Sequence, residues 1–280
     1  MTERQQEALE SSSSVPPGVP EFWVNKYKKE ASKNWDRFYK RNTTNFFKDR
    51  HWIEKEFEEY APTGHPRTAL EVGCGVGNFV FPVLAQNPDL RMYACDFSDK
   101  AVDFVKKHPE YDEDRLTAFV ADLTQDDLTK VIPEQSVDLL SCIFVLSAIP
   151  PEKQAQAVQN LARVTRPGGY VLFRDYGEGD QAQRRFKSPA KITDKLFVRQ
   201  DGTLSYFFSL PELQRLFDAE GFDVVSTEEV RKETVNRREG KVFARVFVQG
   251  KFRRRSSPTV EAKAKVQEDI VNGALERCTL

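Results

Sequence analysis

The chain is poor in the residues that staple small folds or bind metals: its 280 residues include four cysteines, three histidines and two methionines. Cys74, Cys95, Cys142 and Cys278 stand singly, without the close pairs of a disulfide framework or the convergent set that a zinc site requires. His51, His65 and His108 have no ligand spacing between them, so no metal is expected. No run approaches the roughly 20 apolar residues that cross a bilayer, and no membrane association is expected. The opening MTERQQEALESSSS holds three glutamates against one arginine and no apolar core, whereas presequences for export or organelle import carry an apolar core or are basic and acid-poor. A reducing compartment, the cytoplasm and also the nucleus, is the expected location.

What the sequence does have is segregated charge. Its net charge is −1, yet residues 24–55 hold ten basic against four acidic side chains, residues 184–199 six against one, and residues 231–255 ten against two. Phosphates respond to local positive potential rather than to whole-chain charge, so these three blocks suggest a polyanionic partner. Solvated charged faces are the plainer explanation of any one run.

Residues 1–22, with SSSSVPPGVP, lack hydrophobic periodicity and read as an unstructured tail. Residues 23–64 read as a basic, aromatic-rich helical extension. From Thr68 short apolar runs alternate with amphipathic stretches: TALEV, MYACD, LTAFVAD, VDLLSCIFVLSAI and YVLFRDY. That alternation is the pattern of a parallel, doubly wound α/β domain, here over 65–252. A basic insertion occupies 177–208. A helix around PELQRLFDAEGF stops at Gly221, and FDVVSTEEV and KVFARVFVQGKF read as a closing antiparallel hairpin with RKETVNRREG as a long turn. Residues 253–280 form a polar tail.

LEVGCGVGN sets Gly73, Gly75 and Gly77 directly after the first strand and before a helix expected to start near Gly77. Glycine serves a tight turn and lets a ligand approach the backbone. Asp96 ends the second strand, where it could accept two ribose hydroxyls. Dinucleotide folds favour G-x-G-x-x-G, whereas this chain reads G-x-G-x-G with Asn78 at the last dinucleotide position. With Asp122 and Leu123 after the third strand, and Arg166-Pro167-Gly168-Gly169 turning into the fifth, the chain resembles the class I S-adenosylmethionine-dependent methyltransferases. That resemblance implies a Rossmann-like seven-stranded sheet with the last strand antiparallel, S-adenosyl-L-methionine as cofactor, Asp96 with Phe97 at the ribose and Asp122 with Leu123 at the adenine. Ile143 fits the apolar wall beside the methionine portion.

KNWDRFYKRNTTNFFKDRHW at 33–52, ACDFS at 94–98, DLT at 122–124, FVLSAI at 144–149, LFRDYG at 172–177 and VRQDGTLSYFF at 198–208 are together similar to the tRNA 3-methylcytidine methyltransferases. The resemblance spans roughly residues 24–252. It implies methylation of nucleotide 32 in the anticodon loop; the short N-terminal extension is similar to the branch that acts on serine tRNAs and works with seryl-tRNA synthetase. Threonine or arginine tRNAs are the alternative substrates, and a protein or small-molecule acceptor is the alternative on fold grounds, since the fold hosts many acceptors.

Cytosine N3 carries an in-plane lone pair in the neutral base, so attack on a sulfonium methyl needs no general base. The enzyme must expose N3, align it and stabilise the positive charge left on the ring. Phe46, Phe47, Tyr176 and Tyr206 are candidates for stacking; for the two phenylalanines core packing is the competing role. Asp49 and Asp175 are candidates for charge stabilisation or a bond to the exocyclic amine, with a surface ion pair the competing role for Asp49. Arg174 either contacts a substrate phosphate or holds Asp175. Trp35 and Tyr39, four apart on one helical face, are implied by the resemblance to close over the cofactor. Lys48, Arg50, Arg199, Arg237, Arg238 and Lys241 complete the expected RNA-binding set. Cys74 has no nucleophilic task in this chemistry and reads as a small filler.

Overall fold

A computed structural model describes residues 18–44, 56–236 and 241–256, and leaves out the side chains of 234–236 and 241. It opens with two helices, α1 (Glu21–Lys29) and α2 (Ala31–Asn42). In α2 the spacing of Trp35, Phe38 and Tyr39 puts three rings on one face. Phe38 and Tyr39 are buried, and Trp35 meets Phe38 edge-on at 5.2 Å.

Strands β1 (Arg67–Val72), β2 (Leu90–Asp96), β3 (Leu116–Val120), β4 (Val137–Ile143) and β5 (Thr165–Tyr176) pair in parallel, in the order β3-β2-β1-β4-β5. The antiparallel pair β8 (Phe222–Asn236) and β9 (Lys241–Arg254) extends the sheet, with β9 against β5 and β8 at the edge. The seven-stranded class I methyltransferase sheet is therefore present. Two further strands, β6 (Leu196–Val198) and β7 (Leu204–Tyr206), form a small separate sheet within the insertion.

Side-chain alternation along the parallel strands feeds two cores. Leu70, Val72, Leu140, Cys142, Val171 and Phe173 face one side, under α5 (Pro151–Val164) and α7 (Leu210–Ala219). Ala69, Leu139, Ile143 and Leu172 face the other, under α3 (Val80–Gln86) and α4 (Asp99–Lys106). Coverage on both faces explains why these strands read as near-continuous apolar runs. Phe57 and Tyr60, just before the sheet, are buried in the second core, with Tyr60 edge-on to Phe79 at 5.1 Å.

The order in which strands are added reverses between β1 and β4: from β1 the chain steps outward to β2 and β3 on one side and then crosses to β4 and β5 on the other, so that Val72 of β1 pairs with Cys95 of β2 and with Cys142 of β4. Ligands of open α/β sheets sit outside the carboxyl ends of the strands at such a switch point. The glycine loop leaves β1 there.

Two boundaries differ from the sequence reading. The helix after the glycine loop starts at Val80, not near Gly77, because positive φ at Gly73, Gly75 and Gly77 holds the loop outside helical geometry. The hairpin turn is also shorter than expected. RKETVN continues β8, pairing as far as Asn236 with Lys241, because the alternation of Val230, Lys232 and Thr234 against Arg231, Glu233 and Val235 suits a pleated edge strand despite its charge.

Candidate active site

The loop Gly73-Cys74-Gly75-Val76-Gly77 is shaped by what its glycines lack. A Cβ at Gly73 would overlap Val145, and one at Gly75 would stand 2.9 Å from the Tyr39 hydroxyl. The Gly75 N–H donates to Asp96 Oδ2 at 3.0 Å, and the Ser98 N–H to Asp96 Oδ1 at 3.0 Å. Each oxygen keeps a second lone pair for a ligand. Burial pushes the Asp96 carboxyl up to about 6, against the opposing effect of the Ser98 and Gly75 N–H donors. Ser98 also caps α4, accepting from the Ala101 N–H, and donates to Asp36 of α2.

A cavity of about 160 Å³ opens here, lined by Trp35, Tyr39, Gly73, Asp96, Phe97, Asp122 and Leu123. The Asp122 carboxylate is oriented by Thr124, whose N–H and hydroxyl both reach Oδ1 at 2.8 Å, and by Gln125 Nε2 at 2.6 Å from Oδ2. Helix α2 forms one wall. It is tied down by the Ser32 hydroxyl to the Phe97 carbonyl at 3.0 Å, by Asn34 Nδ2 to the Gly202 carbonyl at 3.0 Å, and by an ion pair from Lys28 of α1 to Glu152.

A second cavity, about 470 Å³, adjoins the first and shares Trp35, Tyr39, Gly73, Phe144 and Ala148 with it. Its walls add Gly75, Asn78, Ile143, Ser147, Tyr176, Arg199, Phe207 and Arg245. Tyr176 lies at its centre of interactions. Its ring is 5.1 Å from that of Phe144 and 5.9 Å from that of Phe207, and the Arg199 and Arg245 guanidinium carbons lie 5.4 and 5.6 Å from its centroid. Burial works against the charge of Arg199, but the Tyr176 hydroxyl and the carboxylates of Asp201 and Asp175 raise its pKa above the usual guanidinium range. Phe144 adopts φ 60°, a left-handed conformation that costs a bulky residue free energy and marks constrained functional sites.

The structure thus brings Trp35, Tyr39, Gly73, Asp96, Phe97, Asp122 and Leu123 to one cavity, and Gly75, Ile143, Tyr176 and Arg199 to the other. Gly77 lines neither; its missing Cβ makes room for the Phe81 ring. Asp175 lines neither and is fully buried, with Oδ2 accepting the Ser147 N–H at 2.9 Å and Oδ1 the Tyr176 N–H at 2.8 Å. Burial raises its carboxyl to about 6, against those donors and the Arg199 charge. It holds two residues of the second cavity rather than facing into it.

Two expectations are corrected. Arg174 points away from both cavities: it is buried, pairs with Glu56 Oε2 at 3.1 Å and bonds Gln249 Oε1 at 3.1 Å. It also lies over the Phe247 ring at 5.0 Å and is not among the lining of either cavity, and Asp175, one residue on, leaves the strand on the opposite face, so Arg174 does not hold it. Tyr206 fails for the same reason. Its hydroxyl donates to Glu212 and its ring packs on Phe208 at 4.8 Å, while its neighbours Ser205 and Phe207 line the cavity. Phe46, Phe47, Lys48, Asp49, Arg50, Arg237 and Arg238 lie outside the described residues, as does the side chain of Lys241. Sequence reasoning did not single out Phe207, Phe144 or Arg245; the period-2 alternation of SYFF carried a signal for Phe207, and the basic block 231–255 a general one for Arg245.

Among the described residues no group of His, Cys, Asp and Glu could hold a metal ion, and no helix is long and apolar enough to cross a membrane. The donor chemistry suits S-adenosylmethionine instead: a carboxylate for ribose hydroxyls, a second near an adenine edge, and a loop without side chains where a ligand must approach closely.

A methyltransferase-domain family matches residues 70–171. A tRNA N(3)-methylcytidine methyltransferase of Schizosaccharomyces pombe is 49% identical over 241 residues, covering 84% of this chain and 97% of that one. A human tRNA N(3)-cytidine methyltransferase is 48% identical over 256 residues, covering 90% of this chain and 89% of its own. Among solved structures, an S-adenosylmethionine-dependent methyltransferase from Anabaena variabilis superposes with a TM-score of 0.60 at 15% identity, over 80% of this chain and 95% of that one. Near-half identity along almost the whole length, on a class I methyltransferase fold that uses S-adenosylmethionine, means that this chain belongs to the tRNA N(3)-cytidine methyltransferase family.

Proposed function

We propose that this protein methylates N3 of cytidine 32 in the anticodon loop of serine tRNAs, with seryl-tRNA synthetase as its partner. One observation carries the geometric side of the reading: the crevice at the glycine loop opens through Trp35, Tyr39, Gly73, Phe144 and Ala148 into a second, aromatic and cationic cavity. A group bound at the first is presented to an acceptor in the second.

When bound, S-adenosylmethionine supplies an electrophilic methyl on its sulfonium. Asp96 would hold the ribose through its free lone pairs, Asp122 and Leu123 would meet the adenine, and Ile143 would border the methionine portion. Trp35 and Tyr39 exclude water from above. On the acceptor side, Tyr176, Phe144 and Phe207 provide ring faces for a base taken out of its stack, a use of aromatic side chains common in recognition of single-stranded RNA. N3 attacks with its own lone pair, so no side chain has to remove a proton. The ring becomes cationic as the methyl arrives, and the carboxylate of Asp175, held beneath Ser147 and Tyr176, supplies compensating negative charge without solvent screening. Phe46, Phe47, Asp49 and the basic Lys48 and Arg50 belong to the same proposed acceptor region by sequence. The basic 231–255 block, with Arg237, Arg238 and Lys241, would lie along the tRNA backbone.

Nucleoside mass spectrometry tests this with serine, threonine and arginine tRNAs incubated separately, each with and without its cognate synthetase. The expected result is 3-methylcytidine on serine tRNA, increased by seryl-tRNA synthetase. 3-Methylcytidine confined to threonine or arginine tRNA would overturn the serine assignment. No modified tRNA from a chain that binds the cofactor would overturn the acceptor.

A further inference from the structure

Arg245 has no role in the reading above, yet its place in the second cavity is fixed by an ion pair with a buried carboxylate. It comes from β9, next to β5, and its guanidinium lies 5.6 Å from the Tyr176 centroid and 5.1 Å from that of Phe247. Behind it stands Asp180, fully buried. The Asp180 carboxylate accepts the Arg245 Nε–H at 2.9 Å on Oδ2 and 3.2 Å on Oδ1, the Val246 N–H at 2.8 Å and the Ala182 N–H at 2.7 Å. One carboxylate thus caps helix α6 (Gln181–Arg185), pins the edge of β9 and takes the Nε side of the guanidinium. Among the described residues the two η nitrogens of Arg245 have no hydrogen-bond partner. Arg199, whose guanidinium carbon lies 5.4 Å from the centroid of the same Tyr176 ring, bonds Ser205 Oγ at 3.3 Å through one η nitrogen and also hydrogen-bonds the Tyr176 hydroxyl.

The Tyr176–Asp180 segment is built for this arrangement. A Cβ at Gly177 would lie 2.9 Å from Val246 Cγ1, and Gly179 sits at φ 80°. The chain therefore turns back sharply enough after Tyr176 to bring Asp180 under β9, and the Gly177 N–H bonds the Val246 carbonyl at 2.9 Å.

Two fixed guanidinium groups are badly matched to a ring that becomes cationic when methylated, since like charges repel within a poorly screened cavity. They are well matched to a phosphate, whose oxygens accept forked N–H donors and neutralise them. We propose that Arg245, with Arg199, forms a phosphate subsite of the methyl-transfer cavity that anchors a linkage flanking the target nucleotide, and that Asp180 is the positioning residue that aims Arg245. This rests on the tRNA reading above.

The test uses full-length serine tRNA assembled by ligation, with a neutral methylphosphonate at the linkage 5′ or 3′ of cytidine 32. Binding is measured for the wild-type protein and for Arg245→Ala, Arg245→Lys and Asp180→Asn, with calorimetry of S-adenosylmethionine as the check on folding. At one of the two linkages the wild type is expected to lose about tenfold or more in tRNA affinity on neutralisation. Arg245→Ala is expected to lose a similar factor on natural tRNA and nothing further on the neutral linkage, with cofactor affinity unchanged. Arg245→Lys, which keeps the charge but not the fork, and Asp180→Asn should fall between. Multiplying losses at both linkages for Arg245→Ala would overturn the subsite, as would tRNA affinity unaltered by Arg245→Ala. Should Asp180→Asn fail to fold, the Arg245 pair decides alone. Methyl transfer to the natural tRNA by the wild type, scored in parallel, separates failure of the subsite from failure of the tRNA reading.

Discussion

The two halves of the active site are built by different means. The cofactor half comes from the ends of three successive strands, with α2 as one wall: glycines at positive φ after β1, Asp96 at the end of β2 and Asp122 after β3. Its polar groups are carboxylates at strand ends, which accept, and the backbone N–H groups that orient them, at positions that the parallel sheet itself fixes. The proposed acceptor half gathers Phe144, Tyr176, Arg199, Phe207 and Arg245 from five separate segments. Its layout depends on which face of a strand each side chain takes. Solved structures of 15–16% identity share the fold of the first half, and one fold can host many acceptors; on the proposed function, specificity belongs to the second.

The largest expected effect lies on the cofactor side. Asp96→Ala removes the carboxylate that the Gly75 and Ser98 N–H groups orient, and S-adenosylmethionine affinity should fall by about a hundredfold or more, the loss of two charge-assisted hydrogen bonds. Calorimetry giving wild-type affinity would place the ribose elsewhere. Next in size is a neighbouring pair on the acceptor side. Phe207→Ala should lower kcat/KM for tRNA by about tenfold through lost stacking, with cofactor affinity unchanged. Tyr206→Phe should leave kinetics alone and cost about 1 kcal/mol of stability from the bond to Glu212. If the two variants exchanged behaviour, the strand-face assignment would be wrong.

A smaller effect follows from pH. Asp96 titrates at about 6, raised by burial, and the ribose hydroxyls need the ionised form as acceptor. Cofactor affinity should therefore be constant above about pH 7 and fall as pH drops through 6, while Asp96→Asn binds weakly with that dependence removed. A wild-type profile flat down to pH 5 would contradict the role of Asp96. The smallest expected change is in Ser98→Ala, which removes the α4 cap and the link to Asp36 and should cost about 1 kcal/mol in denaturant unfolding.

The same division explains what the sequence made legible. The sheet, its order and the glycine-loop carboxylates follow from apolar period and turn chemistry, which are local. The longer β8 was missed because RKETVN looks like a charged turn, although its alternation continues that of the strand. Arg174 and Tyr206 were misjudged because motif membership fixes a residue's position along the chain but not its face. One position on from Tyr206, Phe207 lines the second cavity, where a stacking side chain was sought. Arg245 was legible only as one of ten basic side chains in 231–255; what sets it apart from the others depends on Asp180, 65 residues away in sequence.

On the proposed function, the methyl of S-adenosylmethionine passes to N3 of cytidine 32 held in the second cavity. The most direct measurement compares natural serine tRNA with the same tRNA carrying uridine at position 32, each incubated with methyl-labelled S-adenosylmethionine and seryl-tRNA synthetase, then digested for positional mass spectrometry. The account predicts one labelled methyl per natural tRNA, carried as 3-methylcytidine at position 32, and none on the uridine version. Equal labelling of both, or label at any other nucleotide, would contradict it.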